Sequence, residues 1–134
     1  MLEKYLEQLC GELAIVPVPK LNEHQLYPFR LSDQVQLTIK DLDPGMAMQA
    51  KICPCPNVKK EDLFIYLMRA NLLGQGTGGA RIGMVPDEKF LTLSLGLPYE
   101  MNYQTFKESV EDFVNYLVYW KEEVTKFENE ESLF

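Results

Sequence analysis

Glycine is concentrated in one short segment, where a stretch with helical periodicity gives way to a stretch that alternates like a strand. Gly74, Gly76 and Gly79 satisfy the G-x-G-x-x-G pattern of dinucleotide-binding loops. That mechanism requires a strand before the glycines and a helix N-terminus after them, so that backbone amides point at a pyrophosphate. In this chain the helical stretch comes first. The order therefore predicts a helix end followed by a turn, and it favours a binding scaffold over a nucleotide site.

The helix predicted before these glycines is apolar around most of its circumference. Asn57 is a good N-cap residue, and we expect the helix to run to about Leu73. Its apolar positions are Leu63, Phe64, Leu67, Met68 and Leu72, widened by Ile65, Tyr66 and Leu73. A helix of this kind is usually buried from two sides, and in a small domain the second side is often another subunit.

Two alternating runs follow the glycines and predict a hairpin. The runs are Ala80, Ile82 and Met84, and then Leu91, Leu93 and Leu95. After Pro98, Asn102 is expected to cap a long last helix with an apolar seam at alternating spacings of three and four. The seam consists of Phe106, Val110, Phe113, Leu117, Trp120, Val124 and Phe127. Residues 128–134 are acidic and are expected to fray.

The first part of the chain has one helical stretch and three strand-like stretches. The helix is expected over Leu2 to Leu13, where apolar residues recur every three or four positions. The strands are expected near Tyr27 to Leu31, over Gln34 to Lys40, and from Met46 to Ile52, before the run Cys53-Pro54-Cys55-Pro56. Pro28 should confine the first strand to a sheet edge, because proline lacks a ladder donor. The whole order predicts a single α+β domain spanning residues 1–134: helix, three strands, helix, two strands, helix.

Charge and composition exclude several classes of protein. The chain has 134 residues, of which 46% are hydrophobic, and it carries a net charge of -7 from 20 acidic and 13 basic side chains. Phosphate backbones would repel such a chain, so direct nucleic-acid binding is not expected. No apolar run approaches the roughly 18 residues that span a bilayer, and the first residues do not resemble a signal peptide. Three cysteines do not form a disulfide framework, so we expect a reducing cytoplasm.

Few residues in the chain are candidates for catalysis or metal binding. Cys53 and Cys55 could bind a soft metal ion, but a tetrahedral site needs four ligands and only Cys10 and the single His24 remain to help. The favoured interpretation is a proline-punctuated loop, and a metal or thiol enzyme using Cys53 and Cys55 is the alternative. Paired carboxylates fall in predicted turns, where acids are common, at Asp41 and Asp43 and at Asp87 and Glu88. We therefore expect no enzyme activity, no metal and no cofactor.

The second half of the chain resembles the class I type III secretion chaperones, the Tir-chaperone-like (CesT-like) family. The residues that carry the resemblance are Asn71-Leu72, Thr77-Gly78-Gly79-Ala80, Gly83, Leu91-Thr92-Leu93, Leu97-Pro98, Phe106, Val110, Phe113-Val114 and Trp120. The order of elements is similar over essentially the whole chain. Pro28 and the Cys53-Pro54-Cys55-Pro56 run depart from the pattern. The resemblance implies an antiparallel twisted sheet with helices packed on it.

The resemblance also implies a function and a set of sites. The protein would form a homodimer, or a heterodimer with a related chaperone, in the bacterial cytoplasm, and it would serve virulence. It would bind the non-globular N-terminal segment of a secreted effector and keep it secretion-competent. The implied effector-binding residues are Leu6, Leu9, Leu13, Phe29, Val35, Leu37 and Met48. The implied dimer-interface residues are Phe64, Leu67, Met68 and Met84.

A second function stays open at this point. Some proteins of the family couple secretion to gene expression, so a regulatory adaptor that binds RNA polymerase or its sigma subunit is the alternative. The acidic charge of the chain would suit docking on a basic protein surface without contact to DNA. In either function the chain works by binding another polypeptide, because it has more apolar faces than one small sheet can easily cover.

Overall fold

The computed structural model describes residues 2–55, 60–73, 79–84 and 90–132. Within them the elements follow the predicted order, which confirms the α+β fold. They are α1 (Leu2–Leu13), β1 (Tyr27–Arg30), β2 (Gln36–Asp41), β3 (Met46–Pro54), α2 (Lys60–Leu73), β4 (Arg81–Met84), β5 (Phe90–Leu97) and α3 (Tyr103–Ser132).

The described strands form one antiparallel sheet in the order β1-β2-β3-β5-β4. β1 lies at one edge, as Pro28 predicts, and Pro28 is opposite Thr38 of β2. The predicted hairpin is confirmed, because Ile82 of β4 is opposite Leu93 of β5. β3 and β5 pair at the centre of the sheet, with a register shift between Lys51 and Cys53.

The two faces of the sheet differ in burial. Ile39, Met48 and Leu93 lie on the face that packs against the helices, and they form one core with α1 and α3 residues such as Leu6 and Phe113. The opposite face carries residues of the other parity, among them Thr38, Gln49 and Ser94. We call it the open face, because its side chains are exposed or half-buried, except for the buried Thr92.

α3 is the longest helix, and its seam is placed as predicted. Phe106, Val110, Phe113, Leu117, Trp120 and Val124 are buried, while Phe127 is half-buried. Asn102 caps the helix, because the Thr105 N–H donates to its side-chain oxygen over 2.8 Å. The helix continues beyond Phe127 to Ser132.

Two boundaries differ from the sequence prediction, and Asn57 lies outside the described residues. β2 begins at Gln36 and not at Gln34, because residues 31–35 form a turn in which the Val35 N–H donates to Ser32 Oγ over 3.1 Å. Val35 therefore precedes the strand. β3 extends through Pro54, which is opposite Phe90 after the register shift, so the strand enters the proline run before it ends.

The turn between β2 and β3 requires glycine. Gly45 has a φ of +88°, and its carbonyl accepts a 3.1 Å hydrogen bond from the Leu42 N–H. Its backbone lies directly against the end of β5, because a Cβ built at Gly45 would be 2.0 Å from the Leu97 carbonyl oxygen. The turn therefore fixes where the chain leaves β5 toward α3.

Candidate partner-binding surfaces

Asn71 joins the end of α2 to the edge strand β4. Its side-chain amide donates to the Ile82 carbonyl over 2.8 Å, and the Ile82 N–H donates to its side-chain oxygen over 2.7 Å. The side chain thus pairs with a β4 residue as a neighbouring strand would. Residues 74–78, which contain most of the glycine motif, lie outside the described residues. The described flanks confirm that a helix precedes these residues and a strand follows them.

We expect Asn71→Ala to lower the free energy of unfolding by about 2 kcal/mol, because both Ile82 backbone groups would lose their partner. Urea unfolding followed by circular dichroism measures this loss. Asn115→Ala is the matched control, since Asn115 is an exposed amide on α3. A loss for Asn71→Ala no larger than the loss for the control would contradict the role of this side chain.

Hydrogen bonds between side chains connect α1 and α2 to α3. The Tyr103 hydroxyl donates to Glu12 over 2.7 Å, and Lys107 forms a 3.2 Å ion pair with the same carboxylate. The bond from Tyr103, together with Lys107, lowers the pKa of Glu12. Burial and the neighbouring Glu12 raise the pKa of Tyr103 to about 12. The Tyr66 hydroxyl donates to Glu123 over 3.2 Å, and burial and that carboxylate raise the pKa of Tyr66 to about 12.

These phenols predict a loss of stability in strong alkali. Their folded-state pKa values lie above the ordinary value of 10.0 for a tyrosine, so the unfolded chain releases these protons first. Stability should therefore be complete below about pH 10 and decline toward pH 12. Phenolate absorbance should show a late phase near pH 12 that the Tyr66→Phe/Tyr103→Phe variant lacks. An unchanged late phase in this variant would show that other tyrosines cause it.

The residues implied for effector binding do not share one exposed surface in the single chain. Leu6, Leu9, Phe29, Leu37 and Met48 are each at most 3% exposed and belong to the core. Leu13, at the end of α1, is 47% exposed. Val35 is half-buried in the turn before β2. The role of all these residues in effector binding stays a prediction, and only Leu13 and Val35 offer accessible area for it.

The residues implied for a dimer interface lie on two sides of α2 and on β4. Leu67 is buried against the core, and Phe64 is half-buried. Met68 is 67% exposed, and Met84 on the edge strand β4 is also exposed. Ile65, one turn before Met68, is 50% exposed. We call Ile65, Met68 and Met84 the α2–β4 surface, which is the apolar side of this region that the core leaves uncovered.

The open face contains two adjoining grooves. The first has a volume of about 700 Å³ and runs along β1, β2 and β3 toward Lys121 of α3. The second has a volume of about 490 Å³ and extends across β3 and β5 to Arg81 of β4. Leu26, Thr38 and Gln49 line both grooves. The concave surface therefore crosses most of the sheet.

The described residues contain no group of three His, Cys, Asp or Glu side chains that could hold a metal ion. Cys10 is buried, and burial raises the pKa of its thiol. Cys53 and Cys55 are half-buried, and Cys55 Sγ lies 4.0 Å from Met84 Sδ. None of the helices that the structure describes is long and apolar enough to cross a membrane.

Comparison with known proteins identifies the family. The sequence model of the Tir chaperone protein (CesT) family matches residues 4–121. The Chlamydia pneumoniae protein CPj0713/CpB0740 is 24% identical over 122 residues, which cover 90% of this chain and 93% of that protein.

The fold is shared with solved structures, each 14% identical to this chain and matched over 90% of it. A chain of the ExsC–ExsE complex has a TM-score of 0.72, with 91% of that chain covered. A chain of the HopA1–SchA chaperone–effector complex has a TM-score of 0.66, with 93% covered. A chain of the Yersinia pestis type III secretion chaperone SycH in complex with a fragment of YscM2 has a TM-score of 0.64, with 99% covered. At this identity the likeness shows the fold.

Proteins of the matched family are secretion chaperones and not enzymes. The family match covers most of the chain, and the element order and sheet topology agree with the solved chaperones. The chain therefore belongs to the Tir chaperone (CesT) family of type III secretion chaperones.

Proposed function

We propose that this chaperone binds the non-globular N-terminal segment of one secreted effector in the bacterial cytoplasm and keeps it secretion-competent. Membership of the Tir chaperone family carries the proposal. The free outer edge of β1 supports it, because an extended segment can add a strand to an unpaired edge. Accessible apolar side chains, the half-buried Val35 near this edge and the exposed Leu13 on α1, would add side-chain contacts.

Co-expression with candidate secreted proteins from the same organism tests this function. The effector should be soluble with the chaperone and insoluble or degraded without it, and removal of its N-terminal segment should abolish the complex. Leu13→Glu should weaken the complex, while Val118→Glu, which changes an exposed apolar residue on α3, should not. A chaperone that captures no secreted protein, alone or with a related chaperone, would refute the function.

We also propose that the α2–β4 surface is the dimer interface, formed with a second copy or with a related chaperone. The exposed area of Ile65, Met68 and Met84 supports this, because water contact with exposed apolar side chains is unfavourable. Light scattering should give twice the mass of one chain for the wild type and the mass of one chain for Met68→Glu. Val118→Glu is again the control. A wild-type protein that is monomeric alone and forms no complex with related chaperones would refute this interface.

A regulatory adaptor is the second candidate function, and the charge of the helices favours it. Exposed carboxylates occur on all three described helices, for example Glu7 on α1, Glu61 on α2 and Glu111 on α3. Acidic side chains of this kind would suit docking on a basic surface of RNA polymerase or its sigma subunit. Affinity capture from the native cell tests it, and repeated absence of transcription proteins from the captured material would exclude it.

A further inference from the structure

The charged side chains of the strands are separated by face. The basic residues within the described strands are Arg30, Lys40, Lys51 and Arg81. The register places all of them on the open face, since they share its parity with Thr38, Gln49 and Ser94. The one carboxylate within the described strands, Asp41, has the opposite parity. A chain with a net charge of -7 thus presents a cationic sheet face.

Part of this positive charge has no counter-charge. Arg30 forms an ion pair with Asp33, and Lys51 lies over the Phe90 ring at 4.3 Å from its centroid. Lys40 and Arg81 are exposed and make no hydrogen bond or ion pair with the residues that the structure describes. Lys40 lies near the C-terminal end of β2, and Arg81 lies on β4, the edge strand opposite β1. Unpaired cations on a concave surface attract anionic groups.

The open-face residues between these cations are small or polar, while Leu26, Met48 and Leu95 add apolar atoms to the lining of the second groove. Ala47, Gln49, Ser94 and Gly96 line the second groove, and a Cβ built at Gly96 would meet nothing within 4 Å. The small and polar residues admit a polypeptide backbone and offer it hydrogen bonds. The open face therefore differs in kind from the apolar α2–β4 surface.

We propose that the open face is a docking surface for an extended, acidic segment of the secreted partner. Carboxylates of the segment would pair with Lys40 and Arg81, and its backbone would lie over Gln49 and Ser94. A segment of about eight residues is long enough, because an extended chain spans about 26 Å and five strands spaced about 4.8 Å apart span less. The identity of the partner rests on the proposed function, whereas the chemistry of the segment rests on the charges of this face.

Two other occupants fit less well. A second copy could place its acidic helices on this face, but such a contact joins different surfaces and would continue as a ring or an open polymer instead of a two-fold dimer. Single-stranded nucleic acid binds through a cationic groove together with several aromatic stacking platforms. The open face has Phe90 as the one aromatic ring on its described strands, and Lys51 already lies over that ring. An acidic polypeptide is the occupant that the small and polar residues and the charges favour.

The probe for this surface is a synthetic octapeptide of alternating Glu and Ser, compared with the same peptide containing Gln in place of Glu. Amide chemical shifts of the labelled chaperone should change at Thr38, Gln49 and Ser94 on addition of the Glu peptide. The Glu peptide should bind at least about tenfold more tightly than the Gln peptide at low ionic strength, and this difference should shrink with added salt. Equal binding of the two peptides, or shift changes confined to the helices, would overturn the proposal.

The variant Lys40→Glu/Arg81→Glu should weaken binding of the Glu peptide about tenfold or more. Lys4→Glu/Lys126→Glu is the matched control, because it changes the net charge equally at exposed positions on α1 and α3. Lys40→Gln/Arg81→Gln should give a smaller loss with the fold retained. Preferential binding of an oligothymidylate would refute the acidic segment and indicate nucleic acid as the occupant. A polymer of the chaperone that disappears in Lys40→Glu/Arg81→Glu would refute it and indicate a second copy.

The docking surface and the chaperone function can be refuted independently of each other. If the secreted partner binds the wild type and the Lys40→Glu/Arg81→Glu variant equally well, the docking surface is refuted and the chaperone function stands. If the Glu peptide binds the open face but no secreted protein is ever captured, the chaperone function is refuted and the segment has another source.

Discussion

Trp120→Ala is expected to lower the free energy of unfolding by about 3–5 kcal/mol, as for other large aromatic residues in a core. Trp120 is only 2% exposed and is part of the α3 seam. Its ring also meets the Tyr66 ring edge-on, with 5.7 Å between centroids, so it joins α3 to α2. Its removal leaves a cavity where two helices and the sheet meet.

Denaturant unfolding measures this effect, with Val118→Ala as the control. Val118 lies two residues earlier on the same helix and is exposed, so its replacement should change stability by less than about 0.5 kcal/mol. A double-mutant cycle with Tyr66→Ala separates the ring contact from the cavity. A loss below about 1 kcal/mol for Trp120→Ala would show that α3 does not pack through this residue.

Gly45→Ala is expected to cost about 3 kcal/mol or more, because two costs add at this position. The φ of +88° disfavours any residue with a Cβ. The added carbon would also lie 2.0 Å from the Leu97 carbonyl oxygen and 2.6 Å from the Tyr99 nitrogen. Both are backbone atoms, so a change of side-chain rotamer cannot relieve the contact, and the turn must separate from the end of β5.

Gly96→Ala is the matched control for this prediction. Gly96 lies in β5, one residue before Leu97, and a Cβ there would meet no atom within 4 Å. Its replacement should leave stability unchanged or slightly raised, because alanine narrows the unfolded ensemble. Thermal unfolding of both variants gives the comparison. Similar melting temperatures for the two variants would rule out a close approach at Gly45.

The predictions that depended only on periodicity were confirmed for α3 and for the faces of β3, whereas the predicted start of β2 at Gln34 was wrong. The α3 seam and the alternation of β3 each identify one face of one element, and the buried residues Trp120 and Met48 lie on those faces. Pro28 correctly predicted an edge strand, because proline has no N–H to donate to a neighbouring strand and this is known from the residue type alone. Such signals need no knowledge of what the element packs against.

The sites were harder to predict, because periodicity does not say what covers a face. The spacing of Leu6 and Phe29 fits an exposed binding stripe as well as it fits a stripe that packs in the core. In the single chain both residues belong to the core. The apolar circumference of α2 predicted two covered sides, but the single chain buries Leu67 and leaves Met68 exposed, so the cover of the second side stays a prediction. The resemblance pointed to Asn71, while its bonds to Ile82 join residues that only the folded chain brings together.

The cationic open face was missed for a related reason. Arg30, Lys40, Lys51 and Arg81 are scattered in sequence and are outnumbered by acids in the chain as a whole. Their common side emerges only when the register of several strand pairs is known. The alternation within each strand could have revealed this face, because each of these basic residues is next to an apolar residue that points to the core.

The short edge strand β1 has a consequence for the selectivity of assembly. It spans only Tyr27–Arg30, and its proline contributes no N–H. Backbone pairing along this edge is therefore brief and lacks a donor, which discourages indiscriminate strand stacking between copies and the fibrils that can follow. A polypeptide that joins this edge must add affinity through its side chains. A generic β-strand without such side chains therefore gains little from pairing with this edge.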